Sequence, residues 1–249
     1  MKIRKYPFLF VLFAIVVLII GSLHYQKKIA HTAKASSNLT KTSSSQKKKS
    51  DVPNSHQSDW DLVLINRQHP RNEMNPKVSD LDNIQIDSRI VTQTAAFLAA
   101  AQKISPEEHL ISGYRSVDYQ SQVYESYIEN EMVGGEGAVN NTGKPISRTQ
   151  AEANVETYSQ PPKCSEHDTG LAIDMSTVDE LNQCPPAIAA KVAAIAPEYG
   201  FVLRFTAAGE ASTGVHPEDW HFRYVGVQNA QYMEKHHLTL EEYLKILPK

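Results

Sequence analysis

Hydrophobic positions along the chain follow a helical spacing in some segments and the alternation of strands in others. Apolar side chains three or four residues apart predict five helices, at Ile90–Lys103, Val117–Asn130, Arg148–Tyr158, Ala187–Tyr199 and Leu240–Leu247. Short apolar runs predict five strands, at Leu62–Asn66, His109–Ser116, Leu171–Met175, Phe201–Phe205 and His221–Val225. Most of these strands follow the first helices. We therefore expect an α+β domain with a small antiparallel sheet flanked by helices.

The N-terminal segment, residues 1–23, has a different pattern. Pro7–Leu23 contains no charged residue, and Lys2, Arg4 and Lys5 precede it. Its length approaches the about 17–25 residues of a membrane-spanning helix. The basic residues predict a single-pass anchor with a cytoplasmic N-terminus, which places the rest of the chain outside the cell membrane. A cleaved signal peptide, which would secrete the protein, remains the alternative.

The segment that follows, residues 24–59, is rich in Ser, Lys, Thr and Gln and has almost no large apolar side chain. Such a composition cannot bury enough surface to offset the entropy lost on ordering. We therefore expect a disordered tether, followed by a folded domain at residues 60–249 that begins near Trp60.

Composition narrows the possible functions. The 249 residues are 41% hydrophobic and 21% charged, which is enough apolar material for one globular core. A formal net charge of -3 argues against a general nucleic-acid binder. We also expect the protein to be a monomer. Cys164 and Cys184 are too few for an all-cysteine zinc site. Outside the cytoplasm a disulfide between them is permitted, and their positions leave that question open.

The densest group of polar residues has the pattern S-x-H-x-x-G-x-A-x-D, formed by Ser165, His167, Gly170, Ala172 and Asp174. The glycine permits a sharp turn between the histidine and the following strand. Alternate residues of a strand share one face, so the small alanine leaves room beside the carboxylate. This arrangement brings an imidazole and a carboxylate together.

A second polar group, His216–Gly226, places Glu218 three residues before His221. Two histidines and one carboxylate supply the three protein ligands of a catalytic zinc site. Glu218 is then positioned as a general base, and Arg115 is the candidate partner for a developing oxyanion. Each feature alone also fits an ordinary role: Arg115 could be a surface ion-pair residue, and His216 either a surface histidine or a spare ligand.

Three blocks in this order carry a family resemblance: Ser112–Gln122 (SGYRSVDYQSQ), Ser165–Ser176 (SEHDTGLAIDMS) and Pro217–Gly226 (PEDWHFRYVG). Together they resemble the VanY-type D-alanyl-D-alanine carboxypeptidases. These belong to the zinc-peptidase group that also includes lysostaphin-like enzymes and the hedgehog N-terminal domain. The resemblance spans roughly residues 60–249, the whole predicted domain.

The resemblance implies a role for each matched residue. Glu218 is the implied base, and Arg115 the group that polarises the scissile carbonyl. Gln120 is implied to hold the substrate, and Ser165 to meet its terminal carboxylate. The implied cofactor is Zn²⁺, with the ligands His167, Asp174 and His221 on the small sheet.

One position departs from the family pattern. Family members commonly have proline between the base and the tryptophan, where this chain has Asp219. A carboxylate there would raise the pKa of Glu218 by like-charge repulsion if it lay close to the base. The alternative, which we favour, is that Asp219 points into solvent.

The function that the resemblance implies is removal of the terminal D-alanine from peptidoglycan pentapeptide stems by a zinc D,D-carboxypeptidase. The same site would also serve an L,D-carboxypeptidase or a peptidoglycan endopeptidase, and the loop Met132–Pro145 is expected to contribute to that choice. A non-catalytic wall-binding module is the third alternative. Glu218 argues against it, because a binding module needs at most the metal ligands.

Overall fold

The computed structural model describes residues 51–179 and 183–249. These residues form a compact unit that begins at Asp51 rather than at the predicted Trp60. The added stretch is bonded to the C-terminal region: Gln57 Nε2 donates to the carbonyls of Leu244 and Leu247. The predicted anchor and the tether up to residue 50 lie outside the described residues. Within the described ranges, no helix combines the length and the apolar character needed to span a bilayer.

A four-stranded antiparallel sheet lies at the centre of the domain and confirms the predicted fold class. All five residues of one inner strand, Ala172–Ser176, are buried. The strand order is β3-β4-β6-β5, with β3 at His109–Ser112, β4 at Ala172–Ser176, β5 at Phe201–Leu203 and β6 at His221–Tyr224.

The main apolar core covers one face of this sheet. Helix α1 (Val91–Ala101) packs there together with α4 (Pro186–Ile195) and the short 3-10 turn that follows α4. Phe97 of α1 is fully buried; its ring stacks on Phe201 and meets Phe222 edge-on, with centroids 5.2 and 5.1 Å apart. These aromatic contacts fix α1 against β5 and β6.

A second apolar cluster joins the C-terminal helices α6 (Val227–His236) and α7 (Leu240–Ile246) to the irregular segment around Leu62. Helix α7 begins with a capping box, in which Thr239 and Glu242 satisfy each other's backbone N–H groups. The short helix α5 (Glu210–Thr213) lies between β5 and β6 in the chain.

The third part of the domain is a helical lobe, residues 117–158, made of α2 (Val117–Val133), α3 (Arg148–Val155) and the loop between them. Ser116 caps the start of α2, and Gly134 ends it with a φ of 67°. Buried Glu131 accepts hydrogen bonds from the backbone N–H groups of Val139 and Asn140, and so holds the loop against α2.

A β-hairpin that the sequence analysis missed packs beside β3. Its strands are β1 (Val78–Leu81) and β2 (Ile84–Asp87), joined at Asp82 and Asn83, which both have positive φ as a type I′ turn requires. At Gly113 a Cβ atom would lie 2.3 Å from the Gln85 carbonyl, so only glycine permits this approach. The hairpin thereby supports the turn that precedes Arg115.

The predicted helices and the four strands of the main sheet are present, with bounds shifted by a few residues. The strand predicted at Leu62–Asn66 is wrong. Leu62 and Ile65 are buried as expected of apolar residues, but the carbonyls of Asp61 and Val63 accept hydrogen bonds from Arg223 Nη2 instead of from a neighbouring strand. Helix α6 was also missed.

Candidate metal site and its cleft

Strand pairing brings two of the predicted ligands together. Asp174 on β4 and His221 on β6 are direct partners in the antiparallel register. Side chains at paired positions project to the same face of a sheet. Accordingly, Asp174 Oδ1 lies 3.1 Å from His221 Nδ1, and both residues are buried.

The third predicted ligand, His167, reaches the same point from a 3-10 turn at Glu166–Thr169. Gly170 ends that turn with a φ of 68° and leads the chain into β4. His167 Nδ1 lies 2.7 Å from the carbonyl of Gly113, which can only accept a hydrogen bond. The ring proton is therefore on Nδ1, and the free Nε2 faces Asp174 Oδ2 at 3.3 Å.

These three residues form a buried group whose ligand atoms all lie within 4.8 Å of one another. Two imidazole nitrogens and one carboxylate oxygen are a donor set that suits Zn²⁺. The three residues also line a cleft, so that a fourth position is accessible from solvent. The arrangement therefore fits a catalytic zinc ion and confirms the prediction that the metal site lies on the sheet.

Burial and neighbouring charges shift the pKa values of the three groups in different directions. Burial, with the charge of Arg115, lowers the pKa of His167 to about 4. Burial opposes the charge of His221, but hydrogen bonds to Asp174 and Glu166 outweigh it and raise its pKa to about 9. Burial likewise opposes ionisation of Asp174, yet the two histidines hold its pKa well below the ordinary value.

Glu218, the predicted base, lies at the edge of the ligand group. Its Oε2 is 4.0 Å from His221 Nδ1, and its backbone N–H donates to the carbonyl of Phe205. Burial raises the pKa of Glu218 to about 8, and the charges of Asp174 and Glu166 act in the same direction. A carboxyl with a pKa near neutrality is suited to take up and release a proton.

Arg115 lies beside another of the three ligands, with its Nη2 3.9 Å from Asp174 Oδ2. Its backbone N–H donates to the carbonyl of His167, which ties the loop after β3 to the ligand turn. The guanidinium lines the cleft, and its Nε is buried without a hydrogen-bond partner in the described structure. Arg115 is thus a partly buried cation facing the metal site, and not a surface ion-pair residue.

The predicted substrate residues also line the cleft. Gln120, on α2, donates from Nε2 to the carbonyl of Gln160, while its buried Oε1 is without a partner in the described structure. Ser165 Oγ accepts a hydrogen bond from the backbone N–H of His167 and caps the ligand turn. Tyr127 and Tyr158 of the helical lobe face the same cleft; the sequence analysis did not single them out.

Asp219 does not point freely into solvent, contrary to our expectation. Its side chain is half-buried, and its Oδ1 is buried without a partner among the described residues. Its charge acts on Glu108, whose pKa burial and Asp219 together raise to about 7. The charges that raise the pKa of Glu218 are those of Asp174 and Glu166.

The structure also decides the role of His216 and the state of the two cysteines. His216 is exposed, and its Nδ1 pairs with Glu210 Oε1 at 2.7 Å, so it is a surface histidine and not a spare ligand. Cys164 and Cys184 are both buried free thiols, so the permitted disulfide is not formed.

Behind His221 lies a buried ionic cluster that the sequence analysis missed. Glu166 Oε1 accepts from Arg204 Nε at 2.9 Å and from Arg223 Nη1 at 3.2 Å. Burial would raise the pKa of Glu166, but the two arginines hold it well below the ordinary range. A signal was present: arginines inside the apolar runs FVLRF and HFRYV need a buried carboxylate.

Comparison with known proteins agrees with this site. A family model described as VanY, D-alanyl-D-alanine carboxypeptidase, matches residues 83–227, which include all the predicted site residues. The chain is 29% identical over 190 residues to a D-alanyl-D-alanine carboxypeptidase of Enterococcus faecalis; the match covers 76% of this chain and 67% of the relative.

Two solved structures are each 29% identical to this chain, and each match covers 99% of the solved chain. One is a variant of the vancomycin resistance D,D-pentapeptidase VanY from a VanB-type resistance cassette in complex with Zn(II), with a TM-score of 0.64 over 75% of this chain. The other is VanYB in complex with D-alanine-D-alanine, with a TM-score of 0.65 over 76%. Together with the buried His-Asp-His group, the first confirms zinc as the predicted cofactor. Because the family model also matches more than half of the residues, the chain belongs to the VanY family of D-alanyl-D-alanine carboxypeptidases.

Proposed function

We propose that this zinc carboxypeptidase acts as a D,D-carboxypeptidase on the pentapeptide stems of peptidoglycan and releases their terminal D-alanine. The observation that carries the proposal is the buried group of His167, Asp174 and His221, which lines the cleft. Glu218 lies beside His221 of that group, and Arg115 lies beside Asp174. This arrangement combines a metal site, a base and a cation around one point.

In the proposed reaction, water attacks the carbonyl of the terminal peptide bond. Zinc, when bound, supplies a Lewis acid for that carbonyl and lowers the pKa of water. Glu218 takes the proton from the attacking water and later delivers it to the amino group of the departing D-alanine. Arg115 stabilises the negative charge that develops on the carbonyl oxygen, because its guanidinium already faces the metal ligands across the cleft.

We assign substrate positioning to residues on the two walls of the cleft, one formed by the sheet and its ligand turn and the other by the helical lobe. The Oε1 of Gln120, which has no partner among the described residues, offers a buried acceptor to a peptide N–H group of the stem. Ser165, whose hydroxyl retains its own proton while it accepts from His167 N, can donate to the terminal carboxylate. Tyr127 and Tyr158 add aromatic surface on the side of the helical lobe.

We further propose that the protein is monomeric and tethered to the cell membrane through its N-terminal segment, with the catalytic domain outside. The support is sequence alone: a basic flank before the uncharged run Pro7–Leu23. The location would place the cleft near newly made cell wall. Retention of the full-length protein in salt-washed membranes supports a tether, whereas release of a shortened chain into the medium supports signal cleavage.

Mass spectrometry of defined stem peptides tests the specificity directly. Tripeptide, tetrapeptide and pentapeptide stems are incubated with the zinc-loaded protein, and Glu218→Ala serves as the control for contaminating hydrolases. Loss of one alanine from the pentapeptide alone supports the D,D assignment. Loss from the tetrapeptide alone would replace it with an L,D-carboxypeptidase, and cleavage of cross-linked dimers alone with an endopeptidase.

A further inference from the structure

The carboxylate of Glu166 lies behind His221, on the side of the ring opposite to the ligand group. Its Oε2 is 3.3 Å from His221 Nε2, while Nδ1 of the same ring is 3.1 Å from Asp174 Oδ1. An ionised carboxylate only accepts hydrogen bonds. Glu166 therefore holds a ring proton on Nε2. The proton that Nδ1 shares with Asp174 Oδ1 in the metal-free protein is then the one that a bound zinc ion would displace, so that Nδ1 is the atom left to bind the metal.

Two buried arginines hold this carboxylate in place. Arg204 donates from Nε to Oε1 of Glu166, and Arg223 donates from Nη1 to the same oxygen, so that Oε2 remains for His221. Glu166, Arg204 and Arg223 are 4%, 3% and 0% exposed. The positive charges of the two arginines thus compensate the negative charge of the Glu166 carboxylate, and all three residues are shielded from water.

The arginines are themselves fixed by distant parts of the chain. Arg223 Nη2 donates to the carbonyls of Asp61 and Val63 at 3.1 and 2.9 Å. Arg204 Nη2 donates to Glu241 Oε1 of α7 at 2.7 Å. The cluster therefore connects the segment around Leu62 and the C-terminal helix α7 to the side of the His221 ring that faces away from the other ligands.

We propose that Glu166 is a positioning residue that fixes the tautomer and the ring orientation of His221 for zinc binding. The inference rests on the zinc site of the proposed function. Carboxylates that accept the second ring N–H of a metal-bound histidine raise its basicity, and their loss typically weakens metal binding by about 10–100-fold. In this role Glu166 acts through His221, to which it is hydrogen-bonded, and not on the reacting atoms.

Zinc affinity of the full-length protein tests this role, measured by competition with a chromogenic chelator. We expect Glu166→Gln to raise the dissociation constant for zinc by about 10–100-fold. Glu241→Gln is the matched control, because it removes a carboxylate from the same Arg204 without touching His221. It should bind zinc nearly as tightly as the wild type. Equal affinity losses in both variants, or no loss in Glu166→Gln, would overturn the inference.

A second measurement needs no variant and therefore does not depend on Glu166→Gln folding. Nitrogen-15 NMR of histidine-labelled, zinc-loaded wild type should show the ring proton of His221 on Nε2; a proton on Nδ1 would contradict the inference. A wild type that binds no zinc would overturn both this inference and the proposed function. If the wild type binds zinc and Glu166→Gln binds it with the same affinity, only the role of Glu166 is overturned.

Discussion

The two walls of the cleft are held together in different ways. On the sheet wall, Asp174 and His221 are paired across adjacent buried strands, and the apolar core lies against the sheet. On the wall formed by the helical lobe, only a small apolar cluster around Ile128 joins the two helices, and a polar network centred on Glu131 holds the loop. The sheet thus provides fixed geometry for chemistry, and the lobe provides a less deeply anchored surface for substrate.

This difference predicts that substitutions on the two walls have separable effects. Changes on the sheet wall should alter zinc binding or the chemical step. Changes in the lobe should alter the stability of the lobe and the KM for stem peptides, and leave the metal in place.

The largest effect is expected at the centre of the sheet wall. Asp174→Ala removes the carboxylate that lies within 3.3 Å of both histidines, so zinc should no longer bind stoichiometrically and hydrolysis should be lost. Elemental analysis after gel filtration measures the zinc content. Asp179→Ala, which removes an exposed carboxylate shortly after β4, is the control and should retain zinc. A full zinc equivalent in Asp174→Ala would refute the ligand assignment.

Arg115→Ala should come next, because it removes the cation that faces the developing oxyanion while all three ligands remain. Loss of one such donor typically lowers kcat by about 10²–10³-fold. The measurement is kcat on a pentapeptide stem, with zinc content determined on the same sample. Arg89→Ala is a suitable control, since Arg89 pairs with Asp87 and stacks on Trp60 away from the cleft. An unchanged kcat in Arg115→Ala would remove this residue from the mechanism.

The buried base should reduce the stability of the metal-free protein in a pH-dependent way. Folding raises the pKa of Glu218 from 4.5 to about 8, so the folded chain holds a proton that the unfolded chain has released between these values. Stability is therefore lost as pH rises through this window, and Glu218→Gln avoids the loss. At about 1.4 kcal/mol per pKa unit, the variant should gain roughly 2–5 kcal/mol at pH 8 and almost nothing at pH 4.

Urea unfolding of both proteins in chelator, at a series of pH values, measures this difference. A gain in Glu218→Gln that is the same at pH 4 and pH 8 would show that its origin is packing and not the raised pKa of the carboxyl group.

The smallest effect is expected in the helical lobe. Glu131→Gln replaces one of the two carboxylate oxygens that accept from Val139 N, Asn140 N, Asn154 Nδ2 and Tyr158 Oη. An amide group there leaves a buried donor facing another donor, at a cost of about 2 kcal/mol. Urea unfolding should show this loss, and KM should rise while zinc content stays unchanged.

Glu125→Gln is the control within the same helix, because Glu125 forms an exposed ion pair with Arg148. Such pairs contribute about 0–1 kcal/mol. Loss of zinc from Glu131→Gln would contradict the separation of the two walls.

Sequence reasoning located the sheet wall well because its residues follow local rules. Alternation along β4 and the offset of three residues between Glu218 and His221 can both be read directly from the chain. The resemblance to the carboxypeptidases agreed with the role already assigned to Arg115, and it added the roles of Gln120 and Ser165, which spacing alone does not supply. The fold class, the family and the zinc cofactor were all predictable in this way.

What the sequence did not reveal depends on partners far away in the chain. Glu166 resembles any acidic residue in a turn until folding places Arg204 and Arg223 beside it. The apolar run around Leu62 resembles a strand, but Arg223 binds its carbonyls and takes the place of a neighbouring strand. The missed role of Glu166 and the wrong strand around Leu62 both involve the buried cluster that contains Arg223. Its members are far apart in the chain, so no local sequence pattern shows which charges pair.

Zinc content and hydrolysis measured together on Glu218→Gln test the central claim most directly. The variant keeps His167, Asp174 and His221, so it should bind one zinc ion as the wild type does. General acid–base catalysis typically contributes about 10²–10⁴-fold, and cleavage of the pentapeptide should slow by that factor. A variant that keeps its zinc and cleaves the stem at the wild-type rate would contradict the assignment of Glu218 as the base.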